Sequence, residues 1–80
     1  MTEHEAYAAI MAELSRARNK FPVWPADHIH AAGIVCEESG ELIQATLDDH
    51  YIDPCPEKMR DEAIQVGAMA IRFLVDGGVT

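Results

Sequence analysis

Four prolines in two tight groups do most to limit what this chain can fold into. Pro22 and Pro25 bracket Trp24, and Pro54 and Pro56 bracket Cys55. No helix continues through either place, because proline lacks the backbone N–H and its ring collides with the preceding turn. Each of the segments left between them repeats its apolar residues at helical intervals, and none reads convincingly as a strand. The first helix is predicted from about residue 2 to 18, with Thr2 and Glu5 placed for a capping box and Tyr7, Ile10, Met11 and Leu14 as an apolar stripe. The second runs from about residue 27 to 49 on Ile29, Ala32, Ile34, Val35, Leu42, Ile43 and Leu47. The third starts within residues 54–56, since proline is tolerated in a first turn, carries Met59, Ile64, Met69, Phe73 and Leu74, and stops at Gly77 and Gly78.

An all-α chain of 80 residues is one domain, residues 1–80, and makes a thin core. A domain of this size buries only about 60 to 65 % of its unfolded surface, so outside help is expected. Val66, Met69, Ala70, Phe73 and Leu74 offer a second apolar face to a copy of the same chain, which predicts a homodimer or homotetramer built as a helical bundle. A net charge of −8 disfavours nucleic-acid polymers, which are bound through clustered Lys and Arg. Cys36 and Cys55 have no zinc-like spacing and form no disulfide framework, which fits a reducing cytoplasm. The apolar run over residues 63–75 is too short to cross a membrane, and no export signal opens the chain.

Chemistry is concentrated in two acidic segments. Glu38 and Glu41 lie three apart within Glu-Glu-Ser-Gly-Glu-Leu, and Glu62 stands three before Gln65. Residues three apart share a helix face, so two such helices packed antiparallel would build one oxygen-rich pocket. Hard cations such as Mg²⁺ take that ligand set, and carboxylates crowded there without a cation repel one another. In an arbitrary chain a solvated face is the commoner explanation for acidic pairs.

This arrangement, covering roughly residues 20–74, resembles the MazG-like all-α nucleoside triphosphate pyrophosphatases, and within them the small phage or mobile-element type. The resemblance implies a four-helix-bundle-like oligomer that hydrolyses (deoxy)nucleoside triphosphates to monophosphate and pyrophosphate with Mg²⁺, or Mn²⁺ in its place. It implies Glu38, Glu41, Glu62 and Gln65 as metal ligands and Glu38 with Glu37 as catalytic groups, Glu37 acting through water as base. Gln65 stands where the family pattern has Asp; its carbonyl oxygen can coordinate but brings no charge. The other outcome that Gln65 leaves open is a catalytically weak or inactive nucleotide-binding or oligomerisation module.

Three more residues are candidates for substrate binding from their position beside the site: Lys20 for phosphate, Trp24 for base stacking and His30 for the base or sugar. The bland alternatives stand beside them. Trp24 serves equally as a hydrophobic plug at the corner between helices, Lys20 as a solvated cation, and His28 and His30 as solvent-facing imidazoles in an opening turn. Cys36 reads as a small core residue, and Arg72 as a partner for an acid or a phosphate contact.

Overall fold

The computed structural model describes residues 1–79, which form α1 (Glu3–Lys20), α2 (His28–Tyr51) and α3 (Pro56–Val75), with no strand among the described residues. Local chemistry sets each start. The Thr2 hydroxyl accepts from the Glu5 backbone N–H at 3.1 Å, and the Glu5 carboxylate accepts from the Thr2 N–H at 3.0 Å. This reciprocal box satisfies donors that a helix start otherwise leaves orphaned. Asp27 caps α2 by accepting from the Ile29 N–H at 3.0 Å. Pro56 opens α3 at a position where its missing N–H has no consequence. The Cys55 N–H donates to Asp49 at 2.6 Å, which ties the short connection between α2 and α3. Both α1 and α2 run two residues beyond their expected ends, to Lys20 and Tyr51; basic groups in those last turns, Arg18 and Lys20 in α1 and His50 in α2, suit a helix C-terminus.

The third helix is the middle of the arrangement. It packs against both α1 and α2, and those two do not pack on each other. The fully buried apolar residues are Leu14, Ala17, Ala31, Ala45 and Ala68, so four of the five are alanines. Small side chains let the helices approach closely while burying little apolar area. Gly67 extends this logic on α3, because a Cβ there would lie 2.8 Å from Cδ1 of Ile10 on α1. The radius of gyration is 13.4 Å, against about 12 Å for a compact domain of this length.

The apolar residues therefore end up less covered than their periodicity predicts. Of the α1 stripe only Leu14 is buried; Ile10 is half-buried, and Tyr7 and Met11 are exposed because α1 has a single neighbour. On α2, Ile29 is 85 % exposed. An apolar groove of about 570 Å³ runs between α2 and α3, lined among others by Val35, Cys36, Val66, Ala70, Phe73 and Leu74. Two expectations change here. Cys36 is an exposed edge of this groove and not a core residue, and Met69 lies outside the groove, lining a separate cavity with Ile34. No helix among the described residues is long and apolar enough to cross a membrane.

Candidate metal centre

Steps of three or four residues along two antiparallel helices lay out a seam. On α2 its members are His30, Ile34, Glu38, Glu41, Ala45 and Asp48; on α3, read backwards, they are Arg72, Met69, Gln65, Glu62 and Lys58. The acidic residues meet at its middle. Glu38, Glu41 and Glu62 each offer one carboxylate oxygen, and the three oxygens lie within 4.8 Å of one another. For comparison, oxygens opposite each other on a Mg²⁺ ion are about 4.2 Å apart.

The electrostatics of this group are unfavourable as they stand. Oε2 of Glu38 and Oε2 of Glu62 are buried and have no hydrogen-bond partner among the described residues. Burial pushes the Glu38 carboxyl above the ordinary carboxylate range, and the charges of Glu41 and Glu62 push it further. Burial likewise raises Glu62, reinforced by Glu41 and opposed by Lys58. Desolvated oxygens without donors, crowded by like charge, are what a divalent cation would satisfy: it supplies positive charge and takes oxygen ligands. The donor set is all-oxygen, which suits Mg²⁺ or Mn²⁺ over the softer metals.

A cavity of about 440 Å³ opens on the Glu38 side, with Trp24, His30, Ile34, Gln65 and Met69 among its walls. Its floor is fixed by Arg72, which is 2 % exposed. The guanidinium donates through Nε to Asp76 at 2.8 Å and through Nη2 to the Phe21 carbonyl at 2.9 Å. It also stacks on Trp24, with Cζ 4.9 Å from the ring centroid. Asp76 is shared with Arg18, whose Nη2 lies 2.7 Å away, and these guanidinium groups hold its carboxyl below the usual range. Arg72 is thus the partner of an acid, as expected, and it anchors the proline-bounded loop.

Trp24 is half-buried, and its ring forms part of the cavity wall while its Nε1 is enclosed. His30 is exposed at the same cavity. His28 turns elsewhere, its Nε2 lying 3.2 Å from the Gly77 carbonyl. Gln65 lines the cavity beside Glu38. Glu37 is exposed and is absent from the three-oxygen group. Lys20 does not line the cavity; its ammonium sits 5.4 Å from the Phe21 ring centroid.

Two cations near the seam escaped sequence reasoning. Arg16 reaches the cavity from α1 and is held by both Glu13 oxygens, at 2.9 and 2.7 Å. Nothing local in the sequence signals that a residue of α1 meets α2 and α3 there. Lys58 lines a small cleft of about 270 Å³ on the other side of the carboxylates, with Glu41, Gln44, Asp48 and Glu62. Its spacing of four from Glu62 was a usable signal. No protein-family model, no curated protein and no solved structure matches this chain.

Proposed function

We propose that the chain is a metal-dependent pyrophosphohydrolase of the MazG-like kind, cleaving (deoxy)nucleoside triphosphates to monophosphate and pyrophosphate. The observation that carries the proposal is the group of three carboxylate oxygens within 4.8 Å, two of the residues having a buried, unpartnered oxygen. Glu38, Glu41 and Glu62 hold Mg²⁺ or Mn²⁺, with Gln65 as a neutral ligand from the adjacent turn. Bound there, the cation neutralises phosphate charge and lowers the pKa of the attacking water. Glu37, roughly 100° round the helix from Glu38, takes the proton through water. Trp24 and His30 give the nucleoside a flat aromatic wall, and the loop anchored on Arg72 sets its position.

Copies of the chain associate through the apolar groove between α2 and α3, forming a homodimer or homotetramer that completes the thin core. Gln65 favours a second reading, a nucleotide-binding or oligomerisation module without appreciable turnover, because it brings no charge to the site. One assay separates the two. Purified protein is tested with Mg²⁺ and with Mn²⁺ against the common ribo- and deoxynucleoside triphosphates, resolving mono- from diphosphate products, with Glu38→Ala alongside. Monophosphate and pyrophosphate from the wild type, lost in the variant, are expected. No turnover with either metal rejects the hydrolase in favour of the module.

A further inference from the structure

The three carboxylates divide the α2–α3 seam into two unlike halves. Toward the start of α2 lies the cavity walled by Trp24, His30, Ile34 and Met69, largely aromatic and apolar. Toward the start of α3 lies the smaller cleft, whose lining is Glu41, Gln44, Ala45, Asp48, Lys58 and Glu62. Lys58 precedes Glu62 by one helical turn, about 6 Å along the axis, and forms no salt bridge among the described residues. By contrast the cations of the larger cavity are occupied, Arg72 by Asp76 and the Phe21 carbonyl, Arg16 by Glu13.

Resting on the pyrophosphohydrolase reading, we infer that the substrate lies along this seam in one direction only: nucleoside in the Trp24 cavity, and the β- and γ-phosphates in the small cleft, where Lys58 binds the pyrophosphate that leaves. The physical case is a matching of surfaces. A nucleobase gains from an aromatic wall, whereas a pyrophosphate group needs a mobile cation with free donors, which Lys58 supplies with three N–H groups on a flexible stem. Reversing the ligand would place phosphates against Ile34, Met69 and the already paired guanidiniums of Arg16 and Arg72, and a base against Asp48 and Lys58. Gln44 stands over the same cleft, its amide donating to Asp48 at 2.8 Å, so that Asp48 is engaged by Gln44 and Lys58 keeps its donors.

The test is binding of the two products separately, by calorimetry in Mg²⁺, to wild type, Lys58→Ala, Lys58→Arg and Trp24→Ala. Lys58→Ala is expected to weaken pyrophosphate about tenfold or more and leave the nucleoside monophosphate within twofold. Trp24→Ala is expected to do the reverse, and Lys58→Arg to restore most pyrophosphate affinity. Circular dichroism of each variant reads folding separately from binding. Equal weakening of both products by Lys58→Ala, or none, in a protein that turns over triphosphate overturns the orientation and leaves the pyrophosphohydrolase standing. A wild type that neither turns over triphosphate nor binds pyrophosphate overturns both.

Discussion

Replacing Arg72 by methionine removes the charge that ties α3 to the loop while keeping most of the alkyl volume. The loss has three parts. The bond to Asp76 is charge-assisted, as is the one to the Phe21 carbonyl, and such bonds contribute about 1.5 to 3 kcal/mol each when buried. The stacking on Trp24 adds about 0.5 to 2 kcal/mol. Asp76 keeps Arg18, and methionine retains the packing of the stem, so the sum falls to the low end, about 3 kcal/mol. A domain of 80 residues has roughly 4 to 12 kcal/mol in total, so the variant is seriously weakened. With a urea slope of about 1 kcal/mol/M for so small a protein, the unfolding midpoint drops by about 3 M. A double-mutant cycle with Asp76→Asn locates the effect: coupling of about 1 kcal/mol or more for Arg72, and under about 0.5 kcal/mol for Arg18, whose side chain is 38 % exposed. Trp24 is the sole tryptophan, so its emission should shift to the red as the stack is lost. Coupling for Arg72 no larger than for Arg18, with unchanged emission, would refute the anchoring of the loop by Arg72.

Three further outcomes are expected. The folded-state carboxyls of Glu38 and Glu62 titrate above the ordinary glutamate value of 4.5, so their charge destabilises the metal-free protein at neutral pH and protonation relieves it. The melting temperature of chelated protein should therefore rise as pH falls from 7 toward 4.5. It should then fall below pH 3.8, where the unfolded chain takes up a proton at Asp76 that the folded carboxyl, held low by Arg18 and Arg72, does not; a Glu38→Gln, Glu62→Gln double variant with the same rising limb would count against this. Gly77→Ala places a Cβ 2.5 Å from the Phe73 carbonyl oxygen and 3.2 Å from Trp24 Nε1, so we expect a loss of about 1 to 3 kcal/mol in chemical denaturation, and a neutral result would deny the close approach. Leu14→Ala, at the largest fully buried side chain, should cost about 2 to 4 kcal/mol, whereas Tyr7→Ala on the same helix should stay within about 1 kcal/mol.

What was legible in the sequence was local. The prolines, the Thr2 and Glu5 box and the Asp27 cap act within a turn of themselves, so three helices and their starts follow directly from residue order. The same holds for Glu38 with Glu41, whose common face is a property of one helix, and adding Glu62 required only that α2 and α3 turn back on each other through a short link. Periodicity overstated burial, because a stripe says which face seeks cover and not whether a neighbour exists: Tyr7, Met11 and Ile29 belong to predicted faces and remain exposed. The partner of Phe21 lies 51 residues away at Arg72, and Arg16 enters the cavity from a helix that does not pack on α2. Such contacts depend on the angle at which helices cross, which no single segment encodes.

Since α1 packs only on α3, the structural unit that carries the carboxylates is the α2–α3 hairpin by itself. The wall that α1 and its following loop add to the cavity is hung from that hairpin by the Gly67 contact with Ile10, the Arg18 pair with Asp76, and the Arg72 bond to Phe21. Undocking of α1 is then a sub-global opening with its own free energy, smaller than that of complete unfolding. Amides of α1 should exchange with solvent ahead of those at the Ala45 and Ala68 layers. In that opened form the three carboxylates of Glu38, Glu41 and Glu62 keep their places while one side of the cavity is swung away. The first helix is thus a door, and the hairpin its frame.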